Sequence, residues 1–568
     1  MDMQEQYNRW LEHADASLQA ELATLADDET ALADAFYRDL AFGTGGLRGI
    51  VGAGPNRMNI HTVARATQGL ADYLNARFDE PSVAIARDSR RMGREFTEVA
   101  AEVLAANGVK ALLYPRIEPT PALSWATRDL GCSAGICITA SHNPAPYNGY
   151  KVYGADGCQI TTQAAHDILE AIEAVDILDG PKRMAFAEAE VAGLAQWIGE
   201  DTLDRYIDAT FAQSLAQDSA AAPIKVVYTP LHGAGLECVT RILERIGGID
   251  VVAEPEQAKP DGEFPTCPYP NPEIREALER GLALCDAEKP DLLLATDPDT
   301  DRVGIAVPHN GEYVLLTGNE VGILLLDYVC EMCAARGEAL RDKVAITTIV
   351  SSAMADALAA DRGFQLRRTL TGFKFIGEQI GLLESAGQAG RFMFGFEESY
   401  GYLAGTQVRD KDAVVASMLI CEMARWHRAN GRDLVDAMQA LYEHYGFYKN
   451  GLVTMEYPGA EGAARMREIM ASLREQPPAS IAGLAVRASA DYASGAAMPV
   501  LNAGADEPQT LPPADVLEFQ LEGNNKLLIR PSGTEPKVKA YAFATAVTNV
   551  EADELLAGLQ AAAKELLS

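Results

Sequence analysis

Apolar residues recur at helical spacing through the first forty positions. Trp10, Leu11, Leu18, Leu22 and Leu25 fall at intervals that share one face, and the pattern restarts from Ala31 to Leu40 after Asp27-Asp28-Glu29. This spacing predicts a helical preface. The period then changes: short β-favouring runs, Val83-Ala84-Ile85-Ala86, Ala111-Leu112-Leu113-Tyr114 and Gly135-Ile136-Cys137-Ile138-Thr139, alternate with helical stretches from His61 to Asn75 and from Phe96 to Asn107. Strands alternating with helices predict an α/β domain. A second cycle opens at Ile224-Lys225-Val226-Val227-Tyr228, after a polar, alanine-rich stretch from Ala212 to Ala222, and contains the run Asp291-Leu292-Leu293-Leu294-Ala295. A third spans roughly Leu316 to Tyr445, with the runs Val344 to Thr348 and Phe392 to Phe396. From about Gly446 the order differs, with strands near Val453, Val516 to Phe519 and Lys526 to Ile529, then a terminal helix from Ala552 to Leu567. The predicted fold class is α/β, with three repeated α/β domains and a C-terminal α+β domain. The domain boundaries are placed at 1–215, 216–315, 316–445 and 446–568.

Length and composition narrow the picture. At 568 residues and 48% apolar content the chain is too long for one core and ordinary for a multidomain globular protein. No run approaches the length of a membrane helix, and Met1-Asp2-Met3-Gln4-Glu5-Gln6 lacks the features of a signal peptide, so a cytoplasmic protein is expected. The formal net charge of −33 argues against nucleic acid or an anionic membrane as partner, since both need a basic face. An anionic substrate then requires arginines and lysines that reverse the field locally. Nine scattered cysteines predict reduced thiols, and Cys330 and Cys333, a lone C-x-x-C in an apolar stretch, read as core residues.

Six stretches carry candidate chemistry. Ser141, in Thr139-Ala140-Ser141-His142-Asn143-Pro144, stands just past a predicted buried strand, where ligand-binding loops form; a capping or turn pair with His142 is the alternative. It is not a hydrolase elbow, because Thr139 and Asn143 stand where glycines are needed. Asp297, Asp299 and Asp301 alternate, so in an extended loop their carboxylates converge on one hard cation. An EF-hand is excluded, since Arg302 replaces its glycine and Pro308 its closing glutamate. Three carboxylates suit magnesium shared with a phosphate. Glu397 and Ser399, following an apolar strand, can hydrogen-bond neighbouring hydroxyls of a sugar; a helix N-terminus favouring acids is the alternative. Arg530-Pro531-Ser532-Gly533-Thr534-Glu535-Pro536 reads as a phosphate clamp or as an ordinary loop. Phe42-Gly43-Thr44-Gly45-Gly46-Leu47-Arg48-Gly49 matches neither a dinucleotide fingerprint nor a Walker loop, and stands between a phosphate loop and a glycine-rich turn with a surface arginine. Arg87, Arg90, Arg91 and Arg94 crowd one turn, where a side chain facing the crevice would suit a phosphate.

Taken in order, the Ser141, Asp297–Arg302, Gly395–Ser399 and Arg530–Pro536 stretches resemble the phosphoserine, metal, sugar and phosphate loops of the α-D-phosphohexomutase superfamily. The preface and the Phe42–Gly49 stretch are similar to the branch of longer bacterial phosphoglucomutases and phosphopentomutases. The resemblance implies a phosphoserine domain, a metal-binding domain, a sugar-recognition domain and a phosphate-binding domain of TATA-binding-protein-like shape around one central cleft. It implies an isomerase of the phosphotransferase type, with Ser141, His142, Lys151, Arg48 and Lys374 catalytic. Mg2+ would lie on Ser141, Asp297, Asp299 and Asp301, and Arg302, Glu397, Ser399, Arg530, Ser532, Gly533 and Thr534 would bind substrate. The expected reaction interconverts α-D-glucose 1-phosphate and glucose 6-phosphate through a sugar 1,6-bisphosphate, which also primes the serine. Mannose, both hexoses, a pentose or bisphosphate synthesis are the alternatives. Sugar phosphates are the expected partners, with no nucleic acid or membrane, for a monomer or small homo-oligomer.

Overall fold

The computed structural model describes residues 3–43, 45–216, 223–457, 459–495, 497–498, 509–532 and 537–568. They form two compact units, Met1–Pro308 with Gly405–Glu422, and His309–Ala404 with Met423–Ser568. In the first unit the preface is three helices, Met3–His13, Ala16–Leu25 and Glu29–Phe36. Asp15 and Asp28 cap the second and third, each carboxylate accepting two first-turn amides. Tyr7, Trp10, Leu22, Leu32 and Phe36 bury themselves in a small core of their own, which is why the apolar spacing was readable before any strand began.

Behind the preface a six-stranded mixed sheet runs in the order Gly46–Ile50, Tyr147–Gly154, Ala134–Ile138, Ser82–Arg87, Lys110–Leu113, Ala195–Trp197. Ala134–Ile138 is buried along its whole length, parallel to Ser82–Arg87 on one side and antiparallel to Tyr147–Gly154 on the other. A strand covered on both faces has no polar position, hence the unbroken apolar run. Helices Ile60–Asn75 and Gly93–Ala106 supply the covering layer with Val63, Leu70, Phe96 and Leu104. Each such side chain contributes about 1.5–3 kcal/mol by leaving water. The glycine-rich stretch is not a loop throughout: Gly46–Ile50 is a strand, and a side chain at Gly46 would collide with the Tyr150 carbonyl.

A second sheet in this unit places Val303–His309, Leu292–Thr296, Ile224–Thr229 and Ile249–Ala253 side by side. Leu292–Thr296 is parallel to Ile224–Thr229 and antiparallel to Val303–His309. The three aspartates therefore occupy the tight link between two antiparallel strands. Part of the alanine-rich stretch before this sheet, 217–222, lies outside the described residues.

In the second unit, strands Gln365–Thr369, Val344–Thr348, Phe392–Glu397 and Gly401–Leu403 form a mixed sheet, and a six-stranded antiparallel sheet follows from Phe447–Glu456 onward. Ile469, Met470, Leu559 and Ala563 from helices Gly459–Glu475 and Asn549–Leu566 close its core, which gives the expected α+β domain. All nine cysteines are free and buried, Cys330 and Cys333 within helix Gly318–Ala335. Among the described residues no helix is long and apolar enough to cross a membrane.

Candidate active site

Ser141 follows the buried strand by three residues and adopts φ +51°, the left-handed region that costs a non-glycine residue about 1–2 kcal/mol. Its amide donates to Thr139 Oγ1 at 2.8 Å, and its Oγ donates to Asp297 Oδ2 at 2.7 Å. His142 Nδ1 lies 3.1 Å from the same Oγ. Ser141 and Asp297 are 156 residues apart, so their contact is the first evidence that two of the sequence stretches form one site.

The aspartates converge as alternation predicted: Asp297, Asp299 and Asp301 are buried, with one carboxylate oxygen from each lying within 4.8 Å of the others. The turn is held by its own backbone. Asp297 Oδ1 accepts the amides of Asp301 and Arg302, and Thr300 at φ +57° reverses the chain. Asp299 Oδ2 accepts from Lys151 Nζ at 2.7 Å and from Thr120 Oγ1 at 2.8 Å, and Asp301 Oδ2 faces Lys151 Nζ at 3.5 Å and Lys411 Nζ at 3.1 Å. The Oδ1 atoms of Asp299 and Asp301 are buried without a hydrogen-bond partner. Two orphaned carboxylate oxygens beside a third carboxylate match a hard divalent cation that takes oxygen ligands, so the donor set fits Mg2+.

Electrostatics follow from this crowding. Burial, then Asp299 and Asp301, push the Asp297 carboxyl well above its ordinary range. Burial acts the same way on Asp299, but Lys151 and the hydrogen bonds it receives hold that carboxyl below the usual range. Burial opposes the charge of Lys151, yet Asp299 and Asp301 keep its ammonium protonated far past the ordinary lysine value. His142 moves the other way: burial, then Arg302 and Arg48, push its imidazole well below the usual range and keep it neutral. Arg48 Nη1 donates to Asn143 Oδ1 at 3.4 Å, and Arg302 pairs with Glu273 at 2.5 Å.

Lys411 escaped the sequence reading. It bridges Asp301 and Asp410, whose other oxygen accepts the Tyr153 hydroxyl at 2.8 Å. The only local signal was a lysine between two acids, a pattern common on solvated surfaces. In the arginine-rich turn Arg90 faces the serine loop with its guanidinium buried against main-chain carbonyls, whereas Arg94 is exposed and pairs with Glu98.

In the second unit Glu397 ends its strand and accepts the Gly372 amide at 2.7 Å, which joins it to the turn before Lys374. Lys374 is buried on helix Phe373–Ser385, with its Nζ 5.1 Å from the centre of the Phe375 ring. A turn and the strand Gly401–Leu403 follow Glu397, which removes the helix N-terminus alternative. Arg530 closes strand Lys526–Pro531 and Ser532 donates its amide to the Lys537 carbonyl at 2.8 Å; Gly533 and Thr534 lie outside the described residues.

Residues 39–178, 204–311 and 317–445 match the family domains described as phosphoglucomutase/phosphomannomutase alpha/beta/alpha domains I, II and III. A phosphoglucomutase of Staphylococcus saprophyticus is 34% identical over 543 residues, 95% of this chain and 97% of that protein. One of Staphylococcus aureus is 35% identical over 515 residues, 89% of this chain and 90% of that protein. A solved structure of a phosphoglucomutase/phosphomannomutase family protein from Burkholderia thailandensis, 18% identical, shares the fold with a TM-score of 0.64 over 92% of this chain and 97% of that one.

Proposed function

Since the chain belongs to the phosphoglucomutase/phosphomannomutase family, we propose that it is a phosphoglucomutase, interconverting α-D-glucose 1-phosphate and glucose 6-phosphate through a phosphoserine at Ser141. The observation that carries this reading is the hydroxyl of Ser141 held against Asp297 beside the two orphaned carboxylate oxygens. Phosphorylated Ser141 gives its phosphoryl group to the free hydroxyl of the sugar monophosphate: the Ser141 Oγ–P bond breaks, the sugar O–P bond forms, and the hydroxyl proton leaves as the serine oxygen regains one. The bisphosphate turns over and returns its other phosphate to Ser141 by the reverse exchange.

His142 suits the proton on the serine side, because its ring is kept neutral and its Nδ1, 3.1 Å from Oγ, can take the hydroxyl proton once that proton turns away from Asp297. Lys151, tied to Asp299 at 2.7 Å, brings a proton-bearing ammonium beside the serine loop. Asp297, Asp299 and Asp301 would hold Mg2+, which when bound neutralises charge on the transferring phosphoryl group. Arg48 and Arg302 reverse the acidic field of the chain where the substrate's phosphates come. Glu397 and Ser399 hold the hydroxyls on carbons three and four, and Arg530, Ser532, Gly533 and Thr534 clamp whichever phosphate is not reacting. Glucose and mannose differ at carbon two, which Glu397 and Ser399 do not read, so mannose 1-phosphate is the nearest competing substrate.

The test is a coupled assay over the 1-phosphates of glucose, mannose, ribose and N-acetylglucosamine, with a sugar 1,6-bisphosphate primer and Mg2+. Glucose 1-phosphate should give the highest kcat/KM, and Ser141→Ala should abolish turnover. Equal rates on two sugars would remove the single-substrate reading; parent activity in Ser141→Ala would remove the phosphoserine.

A further inference from the structure

Ser141 is held in a left-handed conformation by groups that neither react nor touch its hydroxyl. The Arg90 guanidinium reaches four carbonyls of the serine loop: Nη1 donates to Pro144 O at 3.0 Å and Tyr147 O at 2.9 Å, and Nη2 donates to Ser141 O at 2.5 Å and to Asn143 O. Its Nε lies 3.3 Å from Asp88 Oδ2, and both side chains are completely buried. The same Asp88 oxygen accepts Thr139 Oγ1 at 2.6 Å, and Thr139 Oγ1 in turn accepts the Ser141 amide. The other face of Arg90 lies over the Phe264 ring, 5.0 Å from its centre. Phe264 belongs to the segment that carries Gln257 and Thr266, and this segment is tied to His232 through the His232 amide on the Gln257 carbonyl and His232 Nε2 on Thr266 Oγ1. The next residue but one, Ala234, donates its amide to the Pro298 carbonyl inside the aspartate turn.

We propose that Arg90, braced by Asp88 and Thr139, is a positioning residue that fixes the serine loop in its reactive shape and, through Phe264, sets it against the support of the aspartate turn. The inference rests on the reading of Ser141 as the phosphate carrier and adds the residue that aims it. A planar fork is required, because one guanidinium spans carbonyls on both limbs of the loop while an ammonium presents a single point. The Arg90 side chain is completely buried on the carbonyls of the loop, so its loss acts on the alignment of Ser141 and not on substrate affinity.

The experiment compares Arg90→Lys and Thr139→Val with the parent and with the surface control Arg94→Ala. Three readouts are taken: kcat and KM for glucose 1-phosphate, the rate at which Ser141 gains one phosphate from glucose 1,6-bisphosphate by intact-protein mass spectrometry, and amide hydrogen exchange of residues 140–147 in the free protein. Arg90→Lys should lower kcat and the phosphate-gain rate about a hundredfold, leave KM within about threefold, and speed exchange in that segment alone. Thr139→Val, which keeps shape and volume, should shift all three in the same direction by less, and it decides the matter if Arg90→Lys does not fold. Arg94→Ala should match the parent. Parent phosphate-gain rates in both variants, unchanged exchange in residues 140–147, or a loss expressed wholly in KM would overturn the proposal. Failure of the underlying reading looks different: Ser141→Ala would still gain phosphate.

Discussion

A methyl group added at Gly233 tests whether the aspartate turn is held in place from behind. The Cβ of an alanine there would lie 2.3 Å from Pro298 Cα, 2.5 Å from its carbonyl oxygen and 2.8 Å from its carbonyl carbon. These are backbone atoms between Asp297 and Asp299, so no side chain can swing aside. Ordinary contact begins at 3.4 Å, and the two segments must part by about 1 Å. The displacement falls on the turn whose first carboxylate accepts the Ser141 hydroxyl at 2.7 Å, a bond that does not survive a stretch of that size. Misplacement of a reacting group by about 1 Å is worth about a hundredfold in rate, or about 2.7 kcal/mol of barrier. Gly233→Ala should therefore lower kcat by about two orders of magnitude and raise the Mg2+ concentration for half-maximal activity, with overpacking of about 1–3 kcal/mol lowering Tm by a few degrees. The assay is the coupled mutase reaction titrated with Mg2+, alongside thermal unfolding. The control is Gly381→Ala, on helix Phe373–Ser385 with nothing within 4 Å of the added carbon, which should keep parent activity and gain about 0.5–1 kcal/mol. A Gly233→Ala enzyme with parent kcat and parent Mg2+ dependence would refute the claim that this contact positions the turn.

Three further outcomes are expected. Mg2+ should raise Tm of the parent, by about 2.7 kcal/mol of stability at a hundredfold excess over Kd, and Asp299→Asn should lose most of that rise; an identical rise in the variant would remove Asp299 from the metal site. Glu397→Gln, which weakens the acceptor for Gly372 and for sugar hydroxyls, should raise KM at least about tenfold while Ser141 still gains phosphate from a bisphosphate at saturation, and an unchanged KM would remove Glu397 from the sugar site. Burial pushes the Asp412 carboxyl up to about 6 from an ordinary 3.8, against the Val415 and Val414 amides and the Tyr206 hydroxyl that it accepts. The folded chain holds that proton more tightly, so the stabilisation is complete below about 3.8 and is lost as pH climbs through about 6, at most about 3 kcal/mol. Asp412→Asn should gain in Tm relative to the parent across that window, and a constant difference from pH 4 to pH 7 would sink the assignment.

What the sequence revealed and what it hid divide by the range of the interactions. Ser141 and the aspartate turn were legible because their signals are local: a buried strand needs an unbroken apolar run, and alternating acids in one turn share a side. The strand Tyr147–Gly154 was missed because its residues, Tyr147-Asn148-Gly149-Tyr150-Lys151-Val152-Tyr153-Gly154, show neither alternation nor an apolar run. Its strandhood is set by pairing on both sides, with Gly46–Ile50 and Ala134–Ile138, and the same pairing turned part of the glycine-rich stretch from a suspected loop into a strand. The role of Arg90 was not legible for a similar reason: its partners are main-chain carbonyls 51 to 57 residues away, and carbonyls carry no sequence signature.

The charge inventory around the aspartate turn ties these points together. Asp297, Asp299, Asp301 and Asp410 bring four carboxylates into buried positions, faced by Lys151 and Lys411. The lysines engage Oδ2 of Asp299 and of Asp301, Asp297 is kept from ionising freely, Arg302 Nε stands 3.7 Å from Asp301 Oδ1, and neither that atom nor Asp299 Oδ1 has a hydrogen-bond partner. A protein built only for stability would avoid this, since buried carboxylates without matching donors are costly and apolar replacements of similar volume are not. The two carboxylate oxygens left open to a divalent cation lie next to a serine whose strained backbone is held by a buried arginine. In a chain with a net charge of −33 that takes an anionic substrate, strain and uncompensated charge at the same few residues are better explained by phosphoryl transfer than by folding.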